Sequence, residues 1–344
     1  MVPGRDKNNF RISDSAFVPS AVICFRKKSI CSEASGRIPE RASHYRIIIV
    51  TTTTQRRAAA QTLRLLQASD LKKLRWLVHG FSTRAGGVST CYGGKTLNLG
   101  LTTHDTTENA ERNRKRFLLA LGAGTKTKPW PLITLRQVHS DLIHVVRSPK
   151  QGRLAGDGLV TNLPGVALAI QTADCFPVFL VDTRNKAVGA FHAGWRGTVQ
   201  RIVEKGLGTI RREYDTRPQD VHAVIGPGIQ KCCYEVGEEL RSQFESQFSY
   251  AQELFHEVQE SDPVREKYPM LFMNARAPGH GDPCIKLHLD LQEANRRQLI
   301  EAGVPESQIT VLSGCTACNT KTFFSHRAEK GKTGRMLAVV GIKR

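Results

Sequence analysis

From residue 71 to the C-terminus, short apolar runs alternate with stretches of helical periodicity. Apolar or β-branched runs predict strands over 76–81, 134–146, 165–182, 187–192, 221–225, 308–313 and 336–342. Polar residues interrupt two of these runs, at Ser140 and Asp141 and at residues 172–175. Apolar residues at helical spacing predict helices over 108–121, 197–214, 238–254 and 291–302.

These predicted strands and helices are mixed along the chain without a strict βαβ rhythm, an internal repeat or a Pro- or Ser-rich linker. The pattern predicts one α/β-type (α+β) domain over residues 71–344. Residues 1–70 differ, because basic clusters and the run 51–54 break their apolar pieces. They are predicted to be a poorly ordered or non-family N-terminal extension, and acidic residues such as Asp6 and Glu33 disfavour a transit peptide.

Composition narrows the class of protein. The chain has 344 residues, 40% hydrophobic and 24% charged, as in ordinary soluble globular proteins. No run approaches the ~18 apolar residues of a spanning helix, so no membrane partner is expected. The nine cysteines are odd in number, and the polar start does not resemble a secretory signal. Reduced thiols and a cytoplasmic location are the prediction.

The net charge of +19 favours anionic ligands, either phosphate groups of small molecules or nucleic acid. There is no zinc-finger spacing, no RNA-binding signature and no stripe of basic residues interleaved with aromatics. A dedicated nucleic-acid partner is therefore not predicted. A basic binding module in which a metal only supports the fold is the non-enzymatic alternative.

His139, Cys175 and His192 form the leading candidate site. Each residue alone is typical of a structural side chain, but each follows or closes a predicted strand, and Asp174 stands beside Cys175. One thiol and two imidazoles either bind a metal such as zinc or supply a nucleophile with its base. Three protein ligands are typical of a catalytic zinc site, which keeps one position open. Asp174 could orient a ligand, shuttle a proton or only end the strand.

Other cysteines and several glycine-rich turns are weaker candidates. Cys315-x-x-Cys318 could be a redox pair or half of a zinc site, with Cys232-Cys233 elsewhere in the chain. Cys284 and His288 are the only loosely spaced candidates for another half, so structural thiols are the preferred interpretation. Glycine-bearing turns at 80–89, 152–158 and 226–228 match no phosphate-binding fingerprint. Arg84 and Arg196 near such turns could hold anionic groups of a substrate.

Together the motifs resemble the laccase-domain (YfiH-like, multicopper polyphenol oxidase) family of purine nucleoside phosphorylase type. The matching runs extend from about Leu74 to the C-terminus in family order. They are His79-Gly80-Phe81-Ser82-Thr83-Arg84, Gly86-Gly87-Val88-Ser89, Asn98-Leu99-Gly100, Gln137-Val138-His139, Asp157-Gly158-Leu159-Val160-Thr161, Thr172-Ala173-Asp174-Cys175, His192-Ala193-Gly194-Trp195-Arg196-Gly197, Gly226-Pro227, Tyr234-Glu235-Val236-Gly237, Phe324-Ser325-His326-Arg327 and Thr333-Gly334-Arg335.

The resemblance implies a layered α/β/β/α sandwich with mixed sheets and a Zn²⁺ ion bound by catalytic His139, Cys175 and His192. It implies phosphorolysis of adenosine, guanosine, inosine and methylthioadenosine, with adenosine deamination as a further activity. Purine nucleosides and phosphate are then the expected partners. Substrate-binding roles are expected for Arg84, Asn98, Asp157 and Arg196. The oligomeric state, monomer or dimer, stays open.

Two enzymatic alternatives stay open beside this interpretation. A metal-free cysteine hydrolase or amidase would use Cys175 as nucleophile and His192 as base. A copper-dependent polyphenol oxidase (laccase) would need a trinuclear cluster with many histidines, whereas the chain has eleven histidines and no His-x-His pair. Copper binding in vitro is compatible with the same three ligands.

Overall fold

The computed structural model describes residues 45–49, 62–125, 127–150, 152, 154–259, 261, 267–268 and 285–344. Within these residues the helices are α1 Thr107–Leu121, α2 Trp195–Val199, α3 Ile202–Tyr214, α4 Glu238–Glu245 and α5 Leu291–Glu301. The strands are β1 Tyr45–Ile49, β2 Arg64–Ala68, β3 Leu77–Ser82, β4 Ala85–Ser89, β5 Leu132–Arg136, β6 Ile143–Val145, β7 Leu154–Ala155, β8 Gly158–Thr161, β9 Ala167–Thr172, β10 Phe176–Asp182, β11 Ala187–Ala193, β12 Val221–Ile225, β13 Glu235–Val236, β14 Phe255–Gln259, β15 Ile285–Leu289, β16 Ile309–Val311 and β17 Met336–Ile342.

The first sheet has the strand order β1-β2-β3-β17-β9-β5-β7. The C-terminal strand β17 lies at its centre, antiparallel to β3 and β9, with Val340 opposite both His79 and Leu168. Every residue of β17 is buried, which explains why its sequence is continuously apolar rather than alternating. β5 pairs in parallel with β9, and this pairing brings the loop that follows β5 to the edge where β9 ends.

The second sheet has the order β16-β12-β10-β11-β8-β6, and a three-stranded sheet, β13-β15-β14, completes the described part. β10 and β11 form an antiparallel hairpin in which Pro177 lies opposite His192. β12 and β16 run parallel, so the loops that follow them emerge at the same edge. The chain passes from the first sheet to the second between β9 and β10, through residues 173–175.

Three hydrophobic clusters fill the spaces between the layers of the fold. One lies between α1 and the first sheet and includes Phe117, and a second lies between the two sheets, where the rings of Phe81 and Phe179 stack at 4.6 Å. The third lies between the second sheet and helices α3 and α5, with Phe191 and Leu299 among its members. Truncating a fully buried aromatic such as Phe179 to alanine would cost about 3–5 kcal/mol. The predicted α/β/β/α layered α+β sandwich with mixed sheets is confirmed.

Three predicted elements differ in detail from the structure. The glycine-rich stretch at 84–89 is not only a turn but contains β4, because glycine allows close backbone contact: a Cβ at Gly87 would lie 2.1 Å from the Thr96 carbonyl oxygen. The helix predicted over 197–214 is two helices, separated at Arg201, whose φ is +61°. The helix predicted over 238–254 ends at Glu245, and a 3₁₀ turn covers Ala251–Leu254.

The first sheet begins before residue 71, because β2 pairs with β3, and its residues Leu65, Leu66 and Ala68 are buried. Most of residues 1–70 lies outside the described residues, so the extension predicted there stays a prediction. In the part of the chain that the structure describes, none of the helices has the length and apolarity needed to span a membrane.

Candidate metal centre and active site

The structure brings His139, Cys175 and His192 together. The ligand atoms of the three side chains all lie within 4.8 Å of one another, and the two imidazole rings meet edge to face, with centroids 4.8 Å apart. His139 is exposed, Cys175 is half-buried and His192 is buried. The group therefore has a closed side within the protein and an open side toward solvent.

The strand arrangement explains why residues so distant along the chain meet. Cys175 immediately precedes β10 and His192 is close to the end of β11, so the hairpin places them side by side. His139 comes from the loop after β5, at the edge where β9 ends. His139 has φ +60° and the neighbouring Asp174 has φ +92°, values that few non-glycine residues adopt. Such backbone strain is typical of functional sites.

Gly194 is required by the close approach of the backbone to this group. A Cβ at this position would lie 3.0 Å from the Cys175 sulfur and 3.2 Å from Cδ2 of His139. Its φ of −76° is ordinary, so the requirement is one of space and not of conformation. The glycine of the His-Ala-Gly-Trp-Arg-Gly motif thus makes room for the ligand group itself.

Asp157 is fully buried and orients the group of His139, Cys175 and His192 through hydrogen bonds. Its Oδ1 lies 2.8 Å from Nδ1 of His192, which points the other ring nitrogen of His192 toward Cys175. Its Oδ2 accepts hydrogen bonds from the backbone N–H groups of Val138 and Ser140 and from the Ser140 hydroxyl, at 3.1, 2.7 and 2.8 Å. One carboxylate therefore orients His192 and holds the loop that carries His139, as is typical of the carboxylates that support histidine ligands of metals.

The charges of these groups are strongly coupled. Burial alone would raise the pKa of the Cys175 thiol, but the charge of His192 and hydrogen bonds from both histidines lower it to about 6. Burial alone would lower the pKa of His192, but the Cys175 thiolate and the hydrogen bond to Asp157 raise it to about 9. Hydrogen bonds from His192 and Ser140 outweigh burial and lower the pKa of Asp157 to about 2. The direction of these shifts favours a thiolate–imidazolium pair beside a carboxylate when no metal is bound.

A cavity of about 490 Å³ opens onto the group. It is lined by Leu135, Arg136, Gln137, His139, Gln171, Ala173, Asp174, Cys175, His192, Ile229, Tyr234, His326, Arg327 and Arg335. Three arginines and two amides face the space above the ligand group, an arrangement suited to an anionic, hydrogen-bonding ligand.

Asp174 holds the wall of this cavity instead of extending freely into it. Its carboxylate accepts a hydrogen bond from the Thr316 hydroxyl at 2.6 Å and one from the Arg327 backbone N–H at 2.7 Å. Its own carbonyl accepts from the N–H of Ile229 at 2.8 Å. Asp174 thus orients the cavity wall, and the roles predicted from the sequence, orienting a ligand or shuttling a proton, stay predictions.

None of the four residues predicted to bind substrate lines this cavity. The Arg84 guanidinium forms an ion pair with Glu329 at 2.6 Å and hydrogen bonds to the carbonyls of Thr320 and Tyr92, beside a separate cavity. Its charge is therefore already satisfied by the protein. Arg196 is exposed, with its guanidinium stacked over the ring of Trp195 at 4.4 Å.

Asn98 and Asp157 are fully buried, and neither is among the residues that line the cavity, so their substrate-binding roles stay predictions. Asn98 supports the cavity indirectly, because its side-chain oxygen accepts a hydrogen bond from the backbone N–H of Arg335 at 2.9 Å. The neighbouring Gly100 makes room for the Arg335 side chain, which a Cβ would approach to 2.6 Å. The Asn-Leu-Gly motif therefore positions Arg335, and Asp157 positions the histidines.

The arginines that do face the cavity were assigned no role from the sequence. Arg327 and Arg335 lie in the C-terminal motif runs, and Arg136 directly precedes the run that contains His139. Position within a motif run, or directly beside one in the case of Arg136, is the signal that marks them. Tyr234, another residue of the cavity lining, also lies in a motif run. Burial raises the pKa of its phenol, which stays neutral.

The donor set fits a single metal ion. One thiolate and two imidazoles are borderline ligands that zinc and copper both accept, and the side facing the cavity leaves a position open. Among the described residues, the other group of His, Cys, Asp or Glu side chains close enough to hold a metal consists of four cysteines. Histidines for a trinuclear copper cluster are thus not brought together in the described part of the chain.

His139, Cys175 and His192 are together called the Cys–His₂ group. This group and the layered α+β sandwich define a class that sequence comparison also identifies. Residues 78–343 match the family model described as multi-copper polyphenol oxidoreductase laccase, and the chain belongs to this family. It is 39% identical to a purine nucleoside phosphorylase of Deinococcus radiodurans over 83% of this chain and 95% of the relative. It is 32% identical, over 64% of this chain and 78% of the relative, to adenosine deaminase RL5 of an unknown prokaryotic organism. The crystal structure of the Bacillus licheniformis hypothetical protein YfiH aligns with a TM-score of 0.68 at 31% identity, over 83% of this chain and 98% of the other.

Proposed function

We propose that the protein is a zinc-dependent purine nucleoside phosphorylase that cleaves adenosine, guanosine, inosine and methylthioadenosine, with adenosine deaminase activity at the same site. The observation that carries the proposal is a single cavity in which the Cys–His₂ group lies below three arginines. Relatives named purine nucleoside phosphorylase and adenosine deaminase support the choice of substrate class.

Phosphorolysis asks the protein mainly to position two reactants. An oxygen of phosphate forms a bond to C1′ of the ribose while the bond from C1′ to the base nitrogen breaks. The base keeps the electron pair of that bond and takes up a proton, so the products are ribose-1-phosphate and the free base. Positive charge develops on the sugar, as in glycoside hydrolysis. Holding phosphate and nucleoside in line accounts for a large share of such a barrier.

Arg136, Arg327 and Arg335 are the proposed phosphate ligands. A guanidinium binds two phosphate oxygens at once, which fixes direction as well as charge. Arg327 is held by its Nη1–H, which donates to the Glu235 carbonyl at 2.9 Å, and its guanidinium lies 5.5 Å from the Tyr234 ring centroid. The Tyr234 ring offers a flat surface on which a purine could stack.

Zinc bound by His139, Cys175 and His192 would supply a Lewis-acid centre that attracts polar or anionic oxygen atoms of a substrate. Asp157 keeps His192 in the orientation that this requires and holds the His139 loop. Because Asp174 already accepts two hydrogen bonds, it contributes to the shape of the cavity and not to proton transfer.

The test is incubation of the purified protein with a nucleoside panel, with and without phosphate, followed by chromatography of the products. We expect free base and ribose-1-phosphate only when phosphate is present, and inosine from adenosine in its absence. Arg335→Gln should raise the KM for phosphate about tenfold or more, the equivalent of one charge-assisted hydrogen bond, and leave deamination largely intact. Arg147→Gln, which removes an ion pair with Glu213 outside the cavity, is the matched control. Absence of turnover of every nucleoside would contradict the proposal.

One observation favours a second candidate, a metal-free cysteine hydrolase or amidase. Cys175, His192 and Asp157 form a thiol–imidazole–carboxylate series, the arrangement that activates a cysteine nucleophile. His139 is not needed as the base of such a mechanism, but its hydrogen bond to the same thiol also lowers the pKa of Cys175. Metal analysis separates the two candidates: near-stoichiometric zinc that is lost in Cys175→Ser would exclude the free-thiol mechanism.

A further inference from the structure

Four cysteines form a second cluster, separate from the Cys–His₂ group. The sulfur atoms of Cys232, Cys233, Cys315 and Cys318 all lie within 4.8 Å of one another. The Cys318 sulfur is 3.4 Å from that of Cys232 and 3.3 Å from that of Cys233. Four sulfurs around a tetrahedral zinc ion lie about 3.8 Å apart, since the Zn–S bond is about 2.3 Å. The cluster is therefore close to the size of a four-thiolate metal site.

The fold builds this cluster from the loops that follow two parallel strands, β12 and β16. The loops are joined by an isolated bridge between Gly228 and Cys315, where the Thr316 N–H donates to the Gly228 carbonyl at 3.1 Å. The pairing of Cys232-Cys233 with the Cys-x-x-Cys motif corrects the expectation from sequence. His288 instead lies 2.5 Å from the Lys231 carbonyl oxygen through its Nδ1, and Cys284 lies outside the described residues.

Each cysteine pair sits on a tight turn that aims both thiols to one side. The N–H groups of Cys233 and Tyr234 both donate to the Gln230 carbonyl, at 2.9 and 3.0 Å. In the second loop, the Asn319 N–H donates to the Cys315 carbonyl at 3.2 Å. Cys-x-x-Cys on a turn is the usual spacing of zinc ligands.

The chemistry of the cluster also favours a cation. The Gln230 N–H donates to the Cys315 sulfur at 3.5 Å, as backbone amides do to thiolates. Thiolate sulfur is a preferred ligand of Zn²⁺, and four thiolates are a usual ligand set of a closed structural site.

We propose that Cys232, Cys233, Cys315 and Cys318 bind a structural Zn²⁺ ion, distinct from the Cys–His₂ centre. All four positions of a tetrahedral ion are filled by protein, which is typical of structural sites. Cys232 and Cys318 are exposed, and this leaves a path for the metal to enter.

This ion would fasten one wall of the substrate cavity. Tyr234, which lines the cavity, directly follows Cys233, and Thr316, which directly follows Cys315, donates its hydroxyl to Asp174. Ile229, also in the wall, donates its N–H to the Asp174 carbonyl. Zinc bound by the cluster would therefore link the same two loops that Asp174 joins through its hydrogen bonds to Thr316 and Ile229.

The test is the zinc content of full-length protein purified without chelator, measured by inductively coupled plasma mass spectrometry. We expect two zinc ions per chain in the wild type, one in Cys175→Ser, one in Cys232→Ser and one in Cys318→Ser. Cys91→Ser, an exposed cysteine outside both groups, is the matched control and should retain two. Circular dichroism checks that each variant is folded.

Co²⁺ substitution gives a readout on the wild type alone, should the cluster variants fail to fold. Four of the five thiolates in the two groups belong to the cluster. Titration with Co²⁺ should therefore saturate at two equivalents, with most of the thiolate-to-cobalt charge-transfer absorption arising from the cluster. The signal should fall strongly in Cys318→Ser and only slightly in Cys175→Ser.

A wild-type stoichiometry of one metal, lost in Cys175→Ser, would overturn the proposal. So would a mass four hydrogens lower than that of the fully reduced chain after isolation without reductant, because the cluster would then be two disulfides. Neither outcome bears on nucleoside turnover, so failure here is distinguishable from failure of the proposed enzymatic function.

Discussion

The Cys–His₂ group and the four-cysteine cluster are connected through Asp174, yet they are built in different ways. His139, Cys175 and His192 come from strand ends of two sheets and leave one side open to a cavity. The four cysteines come from two loops of one sheet and can surround an ion completely. Open three-ligand sites are suited to chemistry, and closed four-ligand sites to stability. We therefore expect zinc to take part in the chemistry at the Cys–His₂ group and, at the four-cysteine cluster, to stabilise the wall of the substrate cavity.

The largest effect should distinguish the two groups directly. His139→Ala should lower nucleoside turnover about a thousandfold or more, because it removes an exposed ligand of the proposed catalytic ion. The thermal midpoint should change little. Cys318→Ser should do the reverse, with a lower midpoint and residual turnover. Steady-state kinetics and thermal unfolding of both variants provide the measurement. Equal turnover in wild type and His139→Ala would remove the catalytic assignment.

The buried carboxylate behind the open group should have the next largest effect. Asp157→Asn should reduce zinc affinity or turnover about 10- to 100-fold, because the amide no longer orients His192 as the carboxylate does. Competition with a chromophoric chelator measures the affinity. Ser140→Ala, which removes one donor to Asp157 but keeps its contact with His192, should show a smaller loss. The cobalt absorption of the four-cysteine cluster should not change in either variant.

Metal removal should make the Cys175 thiol of the open group more reactive than that of Cys91, a cysteine outside both groups. With a pKa of about 6, Cys175 in the metal-free protein is mostly thiolate at pH 7, whereas the pKa of exposed Cys91 is raised by burial and by Asp105. Alkylation by iodoacetamide should rise as the pH rises through 6 and level off near 7. At pH 7 Cys175 should react roughly tenfold faster than Cys91. Peptide mass spectrometry follows each rate. A Cys175 profile rising only above pH 8 would contradict the thiolate–imidazolium pair, and zinc should protect Cys175 but not Cys91.

The smallest effect concerns the link between the two groups. Asp174→Asn tolerates the positive φ and keeps one acceptor, but it weakens the hold on Thr316 or on the Arg327 backbone. We expect a few-fold rise in the phosphate KM and about 1–2 kcal/mol less stability. Asp141→Asn, which breaks a partly exposed ion pair with Lys205, is the control. An unchanged KM would show that the wall does not need this carboxylate.

The fold was largely predictable because its elements have strong local patterns. The apolar runs of β9, β10 and β17 lie in the cores between layers, and the stripe of α1 faces the first sheet. Errors occurred where tertiary contact overrides local pattern. β4 forms at glycines because the Thr96 backbone lies against them, and the break between α2 and α3 depends on a positive φ at Arg201.

The candidate site was predictable in its chemistry and only partly in its geometry. Cysteine and histidine at strand ends indicated a metal or a nucleophile, and the family motifs marked the same residues. Sequence could not show that Asn98 supports Arg335 from behind, or that Arg84 is neutralised by Glu329, 245 positions away. A motif residue that positions a ligand and one that binds it look alike in a sequence, since both are polar residues within the same motif runs.

The amino-acid sequence by itself determined the layered fold class, the family and the residue types available for chemistry, because these depend on local periodicity and on motif order. Only the tertiary structure decided which side chains meet. The convergence of Cys232-Cys233 with Cys315-x-x-Cys318 depends on the parallel pairing of β12 with β16, and that of His139 with Cys175 on the pairing of β5 with β9. Strand pairing joins residues at separations that spacing along the chain does not encode, so both groups emerge only once the sheets are assembled.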